Sequence, residues 1–584
     1  MKKILLGNEA VARGAFEYGV TVATAYPGTP STEITESITK YKEIDVEWSP
    51  NEKVALEVGI GASIAGARTL VSMKHVGLNV AADPFMSISY PGVNAGLVIA
   101  VADDPGQHSS QNEQDTRYFG IAAKVPVIEP SDSAECKEFV GNALTISEKF
   151  DTPVILRLST RVSHSGSIVR LKNNPIRPLK EYHQNPNKYI VAPAVAKKRR
   201  VVAEDRLRAL EQYAEITTLN QVEYQNLELG IITSGIAYQY SKEAFPDASF
   251  LKLGMSYPLP KDKISTFIEK CKKVYVIEEL EPIFEEKIKA WGLEVIGKTV
   301  FPTIGELNTE IIRNAISGET IQTIETHLTK DIPARPPVLC PGCHHRGVFY
   351  VLKKLKLHVS GDIGCYTLAA FPPLSAMDTS ICMGASIGMA LGFEKARGKD
   401  FAKKSVAVIG DSTFIHSGIT ALIDVVYNRG NVTVILLDNA TTAMTGNQDH
   451  AGTGYTIKGN KSEAIDFQTL ANAIGIKRVH TVDAYDIINL ERVIRTETQA
   501  EEPSLIITKR PCVLLSRNAD KAQPLKVSDC KGCKACLNIG CPAMSFKNNV
   551  AEINPALCIG CGLCAQVCSF QVIKKDASAG GHQL

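Results

Sequence analysis

The chain has 584 residues, enough for three to five domains at a usual size of roughly 100–200 residues each. Hydrophobic residues make up 44% and charged residues 22%, values ordinary for a globular protein, and the net charge of +2 gives no electrostatic case for nucleic-acid binding. The apolar run near the N-terminus is too short for a signal peptide, and no run approaches the roughly 18 apolar residues of a membrane-spanning helix. We therefore expect a cytoplasmic protein, with no membrane or nucleic-acid partner, whose 15 cysteines are thiols available to metal.

Residues 1–170 alternate short apolar runs with Ala/Gly-rich helical patterns, which is typical of an α/β domain. The runs "VIAVADD", "VPVIEP" and "TPVILRL", which begin at Val98, Val125 and Thr152, predict buried parallel strands. Between the strands, "ALEVGIGASIAGA" at residues 55–67 predicts a helix of small residues, and Glu52 lies just before it.

The rest of the chain predicts a linker, two further α/β units and a small C-terminal domain. Residues 171–227 are first rich in Pro, Asn and Lys, which suits a linker, and then predict a charged surface helix in "VAEDRLRALEQYAEI". Residues 228–328 contain the strand patterns "LGIITSG" and "KVYVIEE", and residues 329–520 contain "SVAVIGD", "VTVILLD" and "SLIITK". The fold class is therefore α/β, multidomain, with doubly wound parallel sheets and a cysteine-rich domain at residues 521–584.

Polar side chains follow two strands predicted in residues 329–520. Asp411 and Asn439 come directly after apolar runs, and parallel sheets bind their ligands at the carboxyl ends of strands. Carboxylate and amide oxygens are ligands that Mg²⁺ prefers, while Gly410, Thr445 and Gly446 could approach a diphosphate closely. Two ordinary strand-end turns would give the same pattern.

This pair of turns resembles the thiamine diphosphate signature, in which Gly-Asp-Gly is followed further along the chain by Asn-Asn. Here the signature reads Gly-Asp-Ser at residues 410–412 and Asp-Asn at residues 438–439, so one position departs in each half. The resemblance implies that Asp411, Asn439 and the backbone carbonyl of Thr441 hold Mg²⁺ on the diphosphate.

Eight cysteines lie close together near the end of the chain, in the pattern C-x2-C-x2-C-x4-C-P followed by C-x2-C-x2-C-x3-C. Bacterial two-cluster ferredoxins have this pattern with x3 in the first run, and the fourth cysteine of each run ligates the other cluster. Two zinc sites are the competing interpretation, although zinc sites more often use paired CxxC motifs. The spacing predicts one [4Fe–4S] cluster on Cys530, Cys533, Cys536 and Cys568, and another on Cys541, Cys558, Cys561 and Cys564.

Three further stretches, "AYPGTPSTE", "CPGCHHRG" and "GDIGCYTL", combine with the tail to resemble the 2-oxoacid:ferredoxin oxidoreductases. The order of the domains is similar to that in the alpha subunits of the indolepyruvate branch of this family. The resemblance implies a pyrimidine-binding domain at residues 1–170, a transketolase C-terminal-like domain at 228–328 and a diphosphate-binding domain at 329–520. It also implies thiamine diphosphate between the first and last of these, and a two-[4Fe–4S] ferredoxin-like domain at 521–584.

The resemblance also implies roles for residues of the pyrimidine-binding domain. Glu52 would bind the aminopyrimidine ring of thiamine diphosphate, with Glu57, one helical turn later, as the competing candidate. Thr29 would lie near the oxo or carboxylate group of the substrate. Arg117 would bind the carboxylate, since a guanidinium fork fits a carboxylate with two parallel hydrogen bonds, although a surface helix position is equally compatible with the pattern.

Four other cysteines, Cys340, Cys343, Cys365 and Cys512, are similar in order and spacing to the family's cluster nearest thiamine diphosphate. They predict a third [4Fe–4S] cluster, with a zinc site and buried thiols as the alternatives. The remaining cysteines, Cys136, Cys271 and Cys382, have no partners in the sequence pattern and are expected in the core. His75 and His345 are candidates for contact with substrate or cofactor, against the commoner structural role.

The family implies oxidative decarboxylation of aryl 2-oxo acids, such as indolepyruvate, with coenzyme A, to give an arylacetyl-CoA and CO₂. The electrons would pass through the clusters to ferredoxin, and a small beta subunit would complete an α2β2 enzyme. A non-oxidative thiamine-dependent decarboxylase or ligase is one alternative. An electron-transfer subunit with a degenerate cofactor site is another, because Ser412 and Asp438 depart from the signature.

Overall fold

The computed structural model describes residues 1–173, 178–319, 335–515 and 525–575. Two compact units divide the chain, Met1–Thr326 and His327–Leu584, and each is described by itself. Within the four described ranges, no helix combines the length and the apolar character needed to cross a membrane.

The strands and helices of the first unit are numbered in chain order. The strands are β1 (Lys2–Leu6), β2 (Val22–Ala25), β3 (Asp45–Trp48), β4 (Thr69–Lys74), β5 (Leu97–Asp103), β6 (Val127–Ile128), β7 (Val154–Ser159), β8 (Gly166–Arg170), β9 (Asn220–Glu223), β10 (Asn226–Thr233), β11 (Ala248–Leu253), β12 (Met255–Tyr257) and β13 (Val274–Ile277). The helices are α1 (Gly7–Glu17), α2 (Thr32–Ile38), α3 (Glu52–Ile64), α4 (His75–Val80), α5 (Ala82–Ile88), α6 (Arg117–Ala123), α7 (Ser133–Phe150), α8 (Thr160–His164), α9 (Pro186–Tyr189), α10 (Pro193–Ile216), α11 (Gly235–Ala244), α12 (Lys261–Lys270), α13 (Ile283–Ala290) and α14 (Thr309–Ser317).

The main sheet of the first unit has the strand order β12-β6-β7-β5-β4-β2-β3 in the described residues. Its strands are parallel except β12, which pairs antiparallel with β6. Every residue of β4 and β5 is buried, as expected for a parallel sheet covered on both faces. Helix α3 packs closely on this sheet because it carries glycine at residue 59, where a Cβ would lie 2.4 Å from Val71 Cγ2. The parallel sheet and the small-residue helix agree with the sequence pattern.

The segment predicted as a linker contains the predicted charged helix and, after it, a strand that the sequence pattern did not predict. Helix α10 is 24 residues long and buries an apolar edge that includes Leu210 and Ala214. Strand β9 joins a second sheet, with the order β13-β10-β11-β9, by pairing antiparallel with β11. This second sheet therefore begins at Asn220, before the boundary at residue 228, because a short strand of mixed polarity gives no clear sequence signal.

The second unit contains the strands β14 (His358–Ser360), β15 (Ser405–Gly410), β16 (Thr433–Asp438), β17 (Arg478–Asp483), β18 (Ser504–Lys509), β19 (Leu525–Val527), β20 (Met544–Lys547), β21 (Val550–Ile553) and β22 (Ile573–Lys575). Its helices are α15 (His345–Leu355), α16 (Ala385–Arg397), α17 (Lys399–Ala402), α18 (Asp411–Thr413), α19 (Ile419–Tyr427), α20 (Phe467–Ile474), α21 (Ile487–Thr498) and α22 (Leu563–Gln566). Short 3₁₀ helices occupy Cys365–Ala370, Ala443–Thr445 and Ala535–Ile539, and a π-helical turn occupies Phe414–Gly418.

Five parallel strands in the order β14-β15-β16-β18-β17 form the main sheet of the described second unit. Alternate residues of β15 and β16 belong to two different core clusters, one on each face of the sheet. The sheet is thus doubly wound, as the apolar strand patterns predict. The cysteine-rich tail forms two small antiparallel sheets of two strands each, β19 with β22 and β20 with β21. Ile539 and Leu563 of the tail belong to the core cluster on one face of the main sheet, so tail and sheet pack as one body.

Candidate functional site

The strand-end pair of the second unit lies at one edge of its main sheet. Asp411 directly follows β15, Asn439 directly follows β16, and these two strands are parallel neighbours. The Asp411 carboxylate accepts hydrogen bonds from the backbone N–H groups of Asn439, at 3.1 Å, and of Ala440, at 2.8 Å. Asp411 and Asn439 are 2% and 7% exposed. The two residues therefore emerge side by side.

The loop after Asn439 connects the two strand ends through side chains. Thr441 donates its backbone N–H to the Asn439 side-chain oxygen at 3.2 Å, and the Thr442 hydroxyl donates to the Ser412 hydroxyl at 2.9 Å. Ser412 stands where the thiamine diphosphate signature has glycine, and its hydroxyl provides this connection. The departure from the signature thus adds a hydrogen bond to the loop rather than disrupting it.

The glycines of the signature lie where a side chain would not fit easily. At residue 410 a Cβ would lie 3.0 Å from Tyr366 Cε1, and Gly410 donates its N–H to the Tyr366 hydroxyl at 3.0 Å. Gly446 has a φ of +125°, a region that favours glycine, and the preceding Thr445 hydroxyl donates to the Gln448 side chain at 2.5 Å. Close backbone approach is therefore possible at both positions.

Unsatisfied polar atoms at this edge indicate that a polar ligand belongs there. Among the described residues, His344 Nε2 and His450 Nε2 are buried without a hydrogen-bond partner, and His450 Nε2 lies 3.3 Å from Asp411 Oδ2. Burial lowers the pKa of His344 to about 4, although the Asp411 charge acts in the opposite direction. A buried polar atom without a partner costs free energy unless a ligand supplies one. Asp411, Asn439 and the Thr441 carbonyl fit Mg²⁺ with a diphosphate in the chemistry of their oxygens.

Asp438, the second departure from the signature, is also buried at this edge. Burial, and after it the neighbouring Asp411 carboxylate, raises the pKa of Asp438, while Lys509 at 3.7 Å opposes the shift. An aspartate here places a second carboxyl group beside Asp411. In the described ranges, no three His, Cys, Asp or Glu side chains form a group that could hold a metal ion, so the cysteine sets described next are neighbouring thiols and not converged ligand sets.

Four thiols lie next to this edge and are here named the proximal set: Cys340, Cys343, Cys365 and Cys512. The backbone N–H of Cys512 donates to the Asn439 carbonyl at 2.9 Å. Burial raises the pKa of Cys365 to about 11, and the nearby thiols of Cys512 and Cys340 add to the shift. Burial likewise raises the pKa of Cys343 to about 12, with Cys365 and Cys340 adding to it. The structure therefore brings these four distant sequence positions together.

The tail contains two more groups of four thiols, in the grouping that the sequence predicts. The middle set, Cys541, Cys558, Cys561 and Cys564, lines one pocket. The outer set, Cys530, Cys533, Cys536 and Cys568, lines another. Backbone N–H groups of Gly532, at 3.5 Å, and Ala551, at 3.4 Å, donate to Cys530 Sγ. Four thiols around a pocket, with N–H groups directed at sulfur, fit a cubane cluster.

The middle set packs directly against the loop that carries the proximal set. Arg346, at the start of α15, donates to the Cys340 carbonyl at 3.1 Å and to the Ile539 carbonyl at 3.2 Å. It also donates to the carbonyls of Gly540 and Leu339. One buried guanidinium thus joins the Cys340 loop to the tail segment that precedes Cys541, and it places positive charge between two sets of thiols.

The three sets form a series from the strand-end pair outward. Burial raises the pKa of Cys512, and Cys340 and Asp411 add to it, which places Asp411 within electrostatic range of the proximal set. Burial raises the pKa of Cys564 to about 12, and Cys561, Cys541, Cys558 and finally Cys536 of the outer set add to it. Cys533 of the outer set is exposed. The series therefore runs from the Asp411 and Asn439 strand ends to the protein surface.

In the first unit, Glu52 is the first residue of α3, whose N-cap is Asn51. Glu52 is 5% exposed, and its carboxyl group lies against Gly77 of α4, where a Cβ would come within 2.6 Å of Oε1. Glu57, the competing candidate, pairs with Lys53, and both side chains are 44% exposed. Burial against a glycine-bearing helix start suits a carboxyl group that binds a ligand, so Glu52 is the better placed of the two.

Thr29 lies in the loop after β2, and two side chains hold this loop in place. Asn8 donates its amide to the Pro30 carbonyl at 2.7 Å, and the Ser109 hydroxyl donates to the Thr29 carbonyl at 3.4 Å. The loop lies at the carboxyl edge of the main sheet of this unit, where α3 and α4 also begin. Thr29 and Glu52 therefore share one edge of the sheet.

Arg117 does not belong to this set, and the prediction that it binds a substrate carboxylate is not supported by its surroundings. Its side chain is fully buried and donates to the Asp115 carboxylate at 2.6 Å and to Glu278 at 2.7 Å. It also donates to the backbone carbonyls of Glu279 and Glu281. The alternative, a surface helix position, is contradicted in part: Arg117 is the first residue of α6, but it is fully buried at the centre of an ion network.

The other candidates divide between buried and exposed positions. His75 is fully buried, with Nε2 3.0 Å from the Asn112 side-chain oxygen. His345 is buried beside Tyr366, with ring centroids 5.7 Å apart. Cys136 and Cys271 are buried as expected, but Cys382 is exposed, because its segment is a loop between β14 and α16. Sequence reasoning missed His344 and Tyr366, although the pattern "CPGCHHRG" already places His344 beside Cys343.

Three family models match the chain. Residues 13–230 match the thiamine-diphosphate-binding domain of pyruvate flavodoxin/ferredoxin oxidoreductases, and residues 362–508 match the C-terminal TPP-binding domain of thiamine pyrophosphate enzymes. Residues 551–574 match a 4Fe-4S binding domain.

Relatives resemble nearly the whole chain. "Indolepyruvate oxidoreductase subunit IorA" of Archaeoglobus fulgidus is 40% identical over 99% of this chain and 98% of its own length. The protein of the same name from Pyrococcus horikoshii is 39% identical over 98% of this chain and 97% of its own. A solved 2-oxoglutarate:ferredoxin oxidoreductase from Magnetococcus marinus, 18% identical, covers 54% of this chain and 65% of its own, with a TM-score of 0.47. The chain belongs to the family of indolepyruvate oxidoreductase IorA subunits, among the thiamine-diphosphate-dependent 2-oxoacid:ferredoxin oxidoreductases.

Proposed function

We propose that this chain catalyses the oxidative decarboxylation of aryl 2-oxo acids, indolepyruvate among them, with coenzyme A as acyl acceptor. The products are an arylacetyl-CoA, CO₂, a proton and two electrons, and the electrons leave through [4Fe–4S] clusters to ferredoxin. The aryl substrate is supported by the name of the relatives, and the redox chemistry is supported by the chain's own residues. The observation that carries the proposal is the hydrogen bond from Cys512 to the Asn439 carbonyl, which joins the cofactor edge to the proximal thiols.

Each half of the cofactor has candidate residues. Asp411, Asn439 and the Thr441 carbonyl would hold Mg²⁺, while Gly410, Thr445 and Gly446 would line the diphosphate. Thiamine diphosphate, when bound, supplies the carbanion chemistry that releases CO₂ and makes the substrate carbon a reductant.

Residues of the first unit would act on the pyrimidine ring and the substrate. Glu52, buried at the start of α3, would bind the aminopyrimidine and exchange a proton with it. Thr29 would contact the oxo or carboxylate group of the substrate. Arg117 is left out of the proposed site because its partners hold it in the buried network.

The proximal, middle and outer sets would each hold one [4Fe–4S] cluster. The proximal set would take electrons at the cofactor edge, the middle set would receive them across Arg346, and the outer set would deliver them. Cys533 is exposed, which suits electron transfer to a docked ferredoxin. Thiolate ligands of this kind persist in a reducing compartment, so we also propose a cytoplasmic enzyme, with a small beta subunit in an α2β2 assembly.

The test is anaerobic reduction of a viologen dye by the purified enzyme with its small partner subunit. We expect dye reduction that requires both indolepyruvate and coenzyme A. Release of the arylacetaldehyde without dye reduction would indicate a non-oxidative decarboxylase or ligase instead. Absence of both products in protein that still binds its partner would indicate an electron-transfer subunit with a degenerate cofactor site.

A further inference from the structure

Lys74 is a buried lysine at the carboxyl edge of the first unit's main sheet, and none of the assignments above uses it. It is the last residue of β4, which lies between β2 and β5. It is 8% exposed, and its chain packs over Gly28, where a Cβ would lie 3.0 Å from Lys74 Cβ. Lys74 is therefore adjacent to the Thr29 loop.

The partners of the Lys74 ammonium group are neutral. Nζ donates to the Ser109 carbonyl at 2.7 Å and lies 3.5 Å from the Ser109 hydroxyl. That hydroxyl in turn donates to the Thr29 carbonyl at 3.4 Å. Ser109 thus ties the ammonium group to the loop that carries Thr29.

Asp104 is the carboxylate whose charge acts on Lys74, and its oxygens already accept hydrogen bonds from other groups. Its Oδ2 accepts from the Ser109 N–H at 2.9 Å and the Ser110 hydroxyl at 2.5 Å, and its Oδ1 accepts from the Thr160 hydroxyl at 2.6 Å. Burial lowers the pKa of Lys74 to about 8, and the Asp104 charge offsets only part of that shift. The charge of the Lys74 ammonium group is therefore only partly compensated.

Lys74 differs in this respect from the other buried cations of its unit. Among the described residues of the first unit, the other buried Lys and Arg side chains each pair with a carboxylate: Arg117, Lys137, Arg157, Arg206 and Lys252. No such ion pair joins Lys74 to a carboxylate in the same described residues. A buried charge is costly unless paired, so an unpaired buried ammonium beside a substrate loop indicates an anionic ligand.

We propose that Lys74 binds the carboxylate of the 2-oxo acid, beside Thr29, as the counterion that Arg117 cannot provide. This inference rests on the proposed function, which supplies a substrate with one carboxylate. An ammonium group is a point charge with three donors. The Ser109 carbonyl engages one at 2.7 Å, and the Ser109 hydroxyl engages a second at the longer distance of 3.5 Å. The contact forms with the intact substrate and is lost when CO₂ leaves, so it contributes to substrate binding rather than to the barrier of the chemical step.

The experiment compares Lys74→Met, Lys74→Arg and a control, Lys40→Met, in the holoenzyme with its partner subunit. Lys40 is a 65% exposed lysine of the same unit. In Lys74→Met we expect the KM for phenylpyruvate to rise at least about tenfold, with kcat within about threefold and the KM for coenzyme A unchanged. Lys74→Arg should restore part of the affinity and Lys40→Met should behave as wild type.

A direct binding measurement separates this inference from the proposed function. Calorimetry with phenyllactate, which has no oxo group to react with the cofactor, and with its uncharged methyl ester gives the preference for the carboxylate without any turnover. We expect that preference to fall by about tenfold or more in Lys74→Met, and a merely structural lysine would weaken both ligands alike. An unchanged preference in Lys74→Met and in Lys74→Arg overturns the role of Lys74. Loss of carboxylate preference in an enzyme that reduces no viologen would leave Lys74 supported and refute the oxidoreductase.

Discussion

The two main sheets present charged candidates at the same kind of edge, but only the first has a candidate, Arg117, whose charge the protein already neutralises. In the second unit, the Asp411 carboxylate is held by backbone N–H groups of the neighbouring strand end. In the first unit, Arg117 is held by carboxylates inside a buried network, whereas Lys74 at the strand end has neutral partners. A charged residue near a strand end is therefore a ligand-binding candidate only when its own protein has not already neutralised it.

The largest effect on activity is expected from a substitution of Asp411. Asp411→Asn keeps an acceptor for the Asn439 and Ala440 N–H groups but removes the negative charge proposed to hold Mg²⁺. We expect viologen reduction to fall by roughly a hundredfold to a thousandfold, since a metal contributes several kcal/mol of charge stabilisation. Bound thiamine diphosphate, measured after desalting, should fall in parallel.

The control for Asp411→Asn is Asp424→Asn, an exposed aspartate on α19. It should leave both activity and thiamine diphosphate content unchanged. Full cofactor content in Asp411→Asn would contradict the assignment of Asp411 to Mg²⁺, because the variant would then bind the cofactor without that charge.

The next largest effect is a difference in thermal stability between variants of Arg117 and of Lys74. Arg117→Met removes the ion-pair partner of buried Glu278 and leaves Asp115 with Arg157 alone, at 3.6 Å. The change should cost about 3–5 kcal/mol and lower the thermal unfolding midpoint of the first unit. Lys74→Met replaces an unpaired buried ammonium with an apolar chain of similar length and should leave the midpoint unchanged or raised. Differential scanning calorimetry of the two variants gives the comparison. A normal midpoint with a raised KM for the 2-oxo acid in Arg117→Met would restore the carboxylate role that the sequence pattern predicts.

The contrast between these two residues shows what the sequence can and cannot predict. Most strands, the double winding, the Asp411–Asn439 pair and the two cysteine groups of the tail follow from local periodicity and spacing, whereas the proximal set was predicted only from the family resemblance. The role of Arg117 depends on Glu278, 161 residues away, and no local pattern contains that contact. Lys74 is distinguished by the absence of a carboxylate partner among the described residues, and a missing contact leaves no sequence pattern either. Strand β9 was also missed, since short mixed-polarity runs carry little signal.

The smallest effect is a pH-dependent change in stability at Glu279, which lies beside the buried ion network around Arg117. Burial raises the pKa of Glu279 to about 7, while the Leu307 N–H, the largest opposing influence, lowers it. When folding raises the pKa of a carboxyl group, the folded protein loses stability as the pH rises from the unfolded pKa, near 4.5, to about 7. Above that pH the full cost of up to about 3 kcal/mol remains. Glu279→Gln should therefore raise the unfolding midpoint at pH 8 and change it little at pH 5. Equal shifts at both pH values would show that the cost is not electrostatic.

The central claim is that the cofactor edge at Asp411 and Asn439 delivers electrons to the cysteine sets of the same unit. The most direct test adds indolepyruvate and coenzyme A to the enzyme with its partner, under argon and without any dye. The readouts are the iron–sulfur absorbance and the electron paramagnetic resonance signal. We predict that the wild type and the control Cys382→Ser bleach on addition of substrate. Cys512→Ser should bleach with dithionite but respond to substrate at least about a hundredfold more slowly, because the proximal set lacks one ligand. Wild-type clusters that dithionite reduces and the substrate does not would contradict the claim.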